Sequence, residues 1–491
     1  MNHAMLGKLS WRAFVFVLLV LFGSSVSADA QDRLDPVAMG KARASVASAQ
    51  GIAAIASNPG GLDYSPLLGS RYEPDISFTL YNFGLTVGST YLSSSDFEQI
   101  FGRSKGWPDA TDRARLGDLL QDERLAANGA NDLFAVRYHT DDGTFGLHYG
   151  HRVYAKINFP EDFNTVLVKG ELLADHYGFI NRGVGVSWMT ELGLSYAKNI
   201  DLGTGSWFPT LGVGATVKLL QGVAQFEVND NSILTVDTRT VNNTRAYVVQ
   251  GGFLVRSAEP DGFDPARAFS QFETALFPST SGIGVGGDIG VSGVIYRTAP
   301  PKERDYGNLR RNWPFVNAVT FGMVLQNVGS ITWNKNTYER SLSNVNDTLA
   351  NGALTNEQFA QYQGKLAKRG DYSTATPAVF RVGFSVDVDG FTEYRRLPLK
   401  IDIEGEAPLN NSPGNATDPR LAIGADYRVS DVFAVRTGIG AGGTNGFGIG
   451  LGVGVQPFDW LRIDVGTSEI NALFNGKRVD LAARLTAMFP R

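Results

Sequence analysis

Residues 445–456 read N-G-F-G-I-G-L-G-V-G-V-Q. Phe447, Ile449, Leu451, Val453 and Val455 share one parity, and Gly446, Gly448, Gly450, Gly452 and Gly454 share the other. Side chains alternate across a β-strand, so this stretch predicts one apolar face backed by a face without side chains. Leu211, Val213, Ala215, Val217 and Leu219 repeat the pattern against Gly212, Gly214, Thr216 and Lys218. Ile283, Val285, Ile289, Val291 and Ile295 repeat it against Gly284, Gly286, Asp288, Gly290 and Ser292.

Toward the C-terminus the second face becomes charged. Leu399, Ile401 and Ile403 alternate with Lys400, Asp402 and Glu404, and Phe380, Val382 and Phe384 with Arg381 and Ser385. Phe433 and Val435 oppose Arg436, Leu461 and Ile463 oppose Arg462 and Asp464, and the run from Val479 to Phe489 opposes Asp480 and Arg484. Counting such runs from Asp75 to Met488 predicts about fourteen strands of ten to thirteen residues. Asp141-Asp142-Gly143 and Asn242-Asn243 supply hairpin signals between alternating runs.

Two architectures produce this alternation. A soluble sandwich turns the apolar face to its core, whereas an outer-membrane barrel turns it to lipid and the polar face to the lumen. Three features favour the barrel. A glycine face makes a poor solvated exterior but suits a lumen wall pressed against an internal plug. Trp207, Trp313, Trp333 and Trp460 fall near strand ends, where an interfacial aromatic belt would lie. The third feature is an export signal. Lys8 and Arg12 precede the apolar run Ala13 to Phe22, and small residues follow, with cleavage predicted after Ala28 or Ala30. Ten apolar residues are too few to cross a bilayer as a helix.

Composition narrows the class further. Glycine numbers 57 of 491 residues and aromatic residues make 11 %, as a β-rich wall requires. With no cysteine, disulfide scaffolds and Cys-ligated zinc or iron–sulfur sites are excluded. At 43 % hydrophobic the chain is not disordered as a whole, and a net charge of −5 gives no argument for nucleic-acid binding.

Three segments break the period of two. Residues 38–64 are rich in alanine, serine and glycine and end at Asn58-Pro59-Gly60-Gly61-Leu62, a turn signal. Residues 94–131 have helical spacing around Phe97, Ile100 and Phe101 and around Leu116, Leu119 and Leu120, and predict a small helical insertion. Residues 336–376 are polar and predict a long loop with a helix near 356–366.

The run A-S-A-Q-G-I-A-A-I-A-S-N-P-G-G-L resembles the N-terminal segment of the outer-membrane long-chain fatty-acid transporter (FadL-like) superfamily, whose relatives include barrels attached to the type IX secretion system. Asn58, Pro59, Gly61 and Leu62 match that group's Asn-Pro-Ala-Gly-Leu element, and Gly60 stands where alanine is usual. The segments L-Q-N-V-G-S-I-T-W-N at 325–334 and R-T-G-I-G-A-G-G at 436–443 resemble uncharacterised members of the group. The resemblance implies a fourteen-stranded barrel with an N-terminal plug in the lumen, in the outer membrane. One departure is the end Met488-Phe489-Pro490-Arg491, where such barrels usually finish on an aromatic residue.

The expected organisation is therefore all-β: a signal peptide over 1–30, a plug segment over 31–72, and a transmembrane antiparallel barrel over 73–491. Arg381, Lys400, Asp402, Glu404, Arg436, Arg462, Asp464, Asp480 and Arg484 should project into the lumen, as ion pairs that hold the plug or as a polar conduit. Catalytic chemistry finds no support. His148 and His151 are three apart on a strand and point to opposite faces, and no G-x-S-x-G elbow or phosphate loop occurs. Neither enzyme activity, cofactor nor metal is expected. Two functions remain. The first is transport of small hydrophobic molecules through or laterally out of a plugged barrel. The second is a non-transporting docking or shuttle component of a secretion or envelope assembly, with a protein partner.

Overall fold

The computed structural model describes residues 34–63, 76–89, 124–158, 176–180, 184–203, 210–229, 232–241, 244–261, 277–298, 316–350, 364–388, 398–415, 419–430, 432–443, 447–470 and 478–489. Fourteen strands form its wall. They are β1 (Ile76–Ser89), β2 (Arg124–Thr140), β3 (Gly143–Asn158), β5 (Val184–Asp201), β6 (Thr210–Val228), β9 (Gly282–Thr298) and β10 (Val316–Trp333). The circuit continues through β14 (Val379–Asp387), β15 (Leu399–Pro408), β16 (Arg420–Arg428), β17 (Phe433–Gly442), β18 (Phe447–Phe458), β19 (Leu461–Thr467) and β20 (Arg478–Phe489). Each pairs antiparallel with the next in that order. β20 returns to β1, with Phe489 opposite Ile76 and Leu485 opposite Tyr81. The sheet is closed, which leaves the wall without edge strands.

Burial along the wall is inverted relative to a soluble protein. On β6, Val217 is 69 % exposed while its neighbour Lys218 is 5 % exposed. On β9, Ile289 is 62 % exposed and Asp288 is 2 %. The outer face is thus apolar and the inner face mostly polar or small-residue, the arrangement for a wall whose outer solvent is lipid. The chain forms a transmembrane-type β-barrel, and no helix among the described residues is long and apolar enough to cross a membrane.

Six further strands extend beyond one end of the wall: β4 (His176–Ile180), β7 (Ile233–Val241), β8 (Thr244–Ala258), β11 (Thr337–Ala350), β12 (Lys365–Lys368) and β13 (Tyr372–Ala375). β4, β7, β8, β11 and β12 pair in that order. β8 joins the wall at the end of β6, and β13 joins it at the end of β10. The opposite end carries short connections, 141–142 between β2 and β3, 429–432 between β16 and β17, and 459–460 between β18 and β19.

Several expectations change. The helical insertion predicted over 94–131 loses its last part, because Arg124–Asn131 begin β2 and pair with β1 and β3; residues 94–123 lie outside the described residues, as does the export signal. The long loop predicted over 336–376 contains β11, β12 and β13, since its polar residues form ladders outside the membrane zone, where alternation with apolar residues is not required. Asn242-Asn243 does connect two paired strands, but these belong to the extension rather than the wall. Trp333 is not part of an outer belt: it is wholly buried. A register shift between Leu325 and Val328, with Asn327 at φ +56°, inserts a bulge into β10 and reverses the facing of the residues beyond it. Trp207 and Trp313 lie outside the described residues, and Trp460 sits exposed in the β18–β19 turn.

Candidate functional site

Residues 34–63 lie against the inner face of the wall. They form a short helix, α1 (Pro36–Gly40), and two 3-10 turns, Gly51–Ala54 and Pro59–Gly61. Asp35 caps α1, its Oδ1 accepting from Val37 N and Ala38 N at 2.9 Å, and Pro36 supplies a compatible first position. The glycine faces read from the sequence meet this segment. A Cβ on Gly452 would stand 2.9 Å from Gly40 Cα, and one on Gly60 would stand 2.8 Å from the backbone of Gly290, Val291 and Ser292. Backbone thus packs on backbone, which only residues without side chains permit.

The Asn58–Leu62 element is held from both sides. Asn58 Oδ1 accepts from Gly60 N at 3.0 Å, and its Nδ2 donates to Val46 O and Val291 O at 3.0 Å. Pro59 starts the turn, and the Leu62 carbonyl accepts from Arg137 Nε at 2.9 Å. The Leu62 side chain packs with Ala54, Ile55, Ala135 and Ala197. Asp63 closes the segment with bonds to Thr144 and to Asn199 N (2.7 Å), and its Oδ1 lies 3.2 Å from His139 Nδ1.

Eight of the nine wall charges picked from the alternation enter ion pairs or hydrogen bonds among the described residues, four of them directly with the N-terminal segment. Asp402 takes Lys41 Nζ at 2.6 Å, and Glu404 Oε2 accepts from Ser45 N and Val46 N at 2.6 and 2.7 Å. Arg484 pairs with Asp35. Asp480 accepts from Thr86 Oγ1 at 2.8 Å and from Ser468, and Arg43 Nη2 stands 3.7 Å from it. Arg43 itself adopts a left-handed backbone at φ +71°, after Ala42 at φ +49°, so the chain reverses there to deliver its guanidinium to Ser468 and Thr86. Asp464 is a hub for Arg436 (2.9 Å), Arg462 (2.9 Å) and Arg484 (3.4 Å), and Arg436 also holds Asp426 at 2.9 Å. Arg381 pairs with Glu406 at 2.7 Å and with Gln326. Lys400 makes no ion pair among the described residues and lines a cavity beside the segment.

A second buried network lies on the other side of the barrel. Asn82 Nδ2 donates to Asp132 at 2.7 Å, Asp132 pairs with Arg152 at 2.6 Å, and Glu191 takes His148 at 2.6 Å and Lys218 at 3.4 Å. Lys218 continues to Asp288 at 3.0 Å and Asn327 Oδ1 at 2.6 Å. His151 instead sits beside Tyr149 and Trp188, so the two histidines do occupy different surroundings. Lys218 and Asp288 were visible in the alternation; their pairing depends on the register between β6 and β9. The segment residues Asp35, Lys41 and Arg43 gave no periodic signal at all.

Above this network, on the inner face at the end with the extension, the wall turns apolar. Tyr154, Met189, Leu220, Ala258, Ile331, Trp333 and Tyr372 form one buried cluster, with Trp333 Nε1 donating to Thr374 Oγ1 at 2.8 Å. A cavity of about 250 Å³ adjoins it, reaching Lys156, which donates to Asn411 at 2.8 Å.

A family model, a family of unknown function (DUF5723), matches residues 68–461, most of the barrel. The chain belongs to that family. Among solved structures, this DUF5723 chain is similar to the toluene transporter TbuX of Ralstonia pickettii, at 13 % identity and a TM-score of 0.42 over 93 % of this chain and 99 % of that one. It is similar also to the toluene transporter TodX of P. putida (11 %, TM-score 0.43, 94 % and 99 %) and to a Pseudomonas aeruginosa FadL homologue (12 %, TM-score 0.42, 93 % and 98 %). No curated protein sequence matches it.

Proposed function

We propose that this chain is an exported outer-membrane barrel that transports small hydrophobic molecules, with residues 34–63 as a plug in its lumen. The observation that carries the reading is the cluster of large apolar side chains around Leu220, Ile331 and Trp333 on the inner face, where most of the rest of that face is polar, glycine or alanine. Outer-membrane barrels carry short turns on the periplasmic side and longer segments outside. The extension and the apolar cluster then lie toward the exterior, and an incoming apolar solute meets the cavity that adjoins the cluster.

The fastening of the segment supports a gate. It is held largely by ion pairs and hydrogen bonds, and those groups can be rehydrated when the segment shifts, whereas an apolar core would expose surface unfavourable in water. In this reading the luminal charges Asp402, Glu404, Asp480 and Arg484 serve to seat the plug. The test is uptake into proteoliposomes of a small apolar dye and of a polar solute of equal size. The apolar dye should enter with the wild-type chain and at least tenfold more slowly with Leu220→Gln, and the polar solute should not enter with either. Equal uptake of both solutes, or of the dye by both chains, would remove the hydrophobic-transport reading.

The extension sheet favours a second reading, a docking component, because five paired strands beyond the wall offer a surface to a protein partner. Removing residues 94–123 separates the two: lost co-purification of envelope proteins with unchanged dye uptake supports docking for that region.

A further inference from the structure

At the end with the extension, the chain between β15 and β16 folds into the mouth of the barrel. Residues 409–415 leave β15 beside residues 375–378, which run from β13 to β14, and the two stretches are bound together. Leu409 N donates to Ala378 O at 2.9 Å, Asn410 Nδ2 to Thr376 O at 2.7 Å, Ser412 Oγ to Ala375 O at 3.0 Å, and Asn415 Nδ2 to Ala378 O at 2.9 Å. Thr376 N in turn donates to Gly329 O at 3.0 Å, so the base of this tongue is fixed to β10. Its tip lies against β3 and β5, where Lys156 and Gly185 are a cross-strand pair on the lumen side, in register with Arg152. Lys156 Nζ donates to Asn411 Oδ1 at 2.8 Å. A Cβ on Gly185 would stand 2.7 Å from Pro413 Cγ, and one on Gly414 would stand 2.7 Å from Tyr154 Cδ1. β6, β9, β10 and β14 separate β5 from β15 along the wall, so these contacts are made across the lumen. The two ends of the tongue are held differently. Backbone and amide hydrogen bonds pin the base, whereas Asn411 is exposed and reaches the far wall by its side chain. Gly414, at φ +102°, turns the chain near the tip. The cavity of about 250 Å³ lies between the tongue and the wall, with Ser187 and Met189 on its deeper side.

We propose that residues 409–415 form a gate at this mouth, hinged at 375–378 and latched by the Lys156–Asn411 hydrogen bond. The two latch groups can exchange each other for water at a small net cost, so the tip lifts while the base stays paired. That the gated solute is apolar rests on the transport reading; that the tongue covers the cavity does not.

The chain has no cysteine, so introduced thiols report without background. Ser187→Cys places one in the lining of the cavity, two residues further into the lumen along β5 than Gly185. The full chain carrying it is purified in detergent and reacted with a polar maleimide. Adding Asn411→Ala, which deletes the exposed half of the latch, should raise the labelling rate about tenfold, with heat-modifiable gel mobility unchanged. Adding instead Asn346→Ala, an equal truncation of an exposed asparagine on β11, should leave the rate within about twofold. In a separate chain, Gly185→Cys with Pro413→Cys should join in a disulfide and slow apolar-dye uptake into proteoliposomes about tenfold, with recovery on reduction. An unchanged labelling rate with Asn411→Ala overturns the gate, as does an equal rise with Asn346→Ala, which would mean general loosening. Dye uptake that enters the reduced chain and ignores the disulfide overturns it too. Dye uptake absent from both the reduced chain and the wild type overturns the transport reading instead, and the labelling rates then decide the gate alone.

Discussion

Asp402→Ala removes the acceptor of a fully enclosed ion pair between segment and wall. Lys41 Nζ and Asp402 Oδ2 are 2.6 Å apart and both side chains are 2 % exposed. Breaking a buried pair by deleting one partner costs about 3–5 kcal/mol, because the other charge stays buried and uncompensated. Lys41 keeps Ser48 Oγ at 2.7 Å, a bond worth about 1 kcal/mol, which places the expected loss near the lower end. About 3 kcal/mol lowers the ratio of seated to displaced segment roughly 10²-fold. The reporters are the amides of Ser48 and Ala49, which donate to Ser45 O at 3.1 and 2.7 Å. Hydrogen exchange followed by mass spectrometry should show their protection falling about 100-fold, with protection in β14, β15 and β16 unchanged. The double variant Lys41→Met with Asp402→Leu restores an uncharged packed contact and should recover protection to within about tenfold of wild type. Unchanged protection in Asp402→Ala would refute the claim that this pair fastens the segment. A double variant as exposed as the single one would refute the assignment of the effect to a stranded charge.

Gly60→Val should prevent the turn from seating on β9, since even a Cβ would stand 2.8 Å from three backbone atoms there; limited proteolysis should cleave residues 34–63 while gel mobility of the barrel stays heat-modifiable. Asn58→Ala removes three side-chain hydrogen bonds and leaves the Val46 and Val291 carbonyls short of a donor, a loss of about 2–4 kcal/mol read as faster exchange at Ser57 to Leu62. Val217→Lys places a charge on the outer face and should destabilise the barrel in lipid vesicles by about 2–4 kcal/mol if the position lies at mid-membrane, measured by denaturant titration. A destabilisation below about 0.5 kcal/mol would count against a lipid-facing outer wall.

The wall was legible because a strand between lipid and lumen must alternate, and the period of two survives in the residue order. Val217 beside Lys218 and Ile289 beside Asp288 carry it. The glycine faces also announced their use, since Gly452 and Gly290 meet backbone of the N-terminal segment. Trp333 was misassigned to an outer belt because a one-residue bulge at Asn327 reverses facing beyond it, and no composition rule locates a bulge. The part of the extension over 336–376 was misread as a loop because strands outside the bilayer need no apolar face; Thr337–Ala350 is largely polar and takes its ladder from β8. On the segment, Asp35, Lys41 and Arg43 escaped notice because irregular backbone has no period to mark which side chains face the wall. The network from Asn82 to Asn327 joins seven strands, and its pairs follow from register rather than from spacing along the chain.

Single-channel conductance of the full chain in planar bilayers tests the plugged barrel most directly. With residues 34–63 seated, the wild-type chain should stay at a low baseline, and Asp402→Ala should show openings whose frequency rises about 100-fold as the segment leaves the wall. A steady porin-like conductance in the wild type, or an identical trace from both chains, would contradict a lumen closed by this segment.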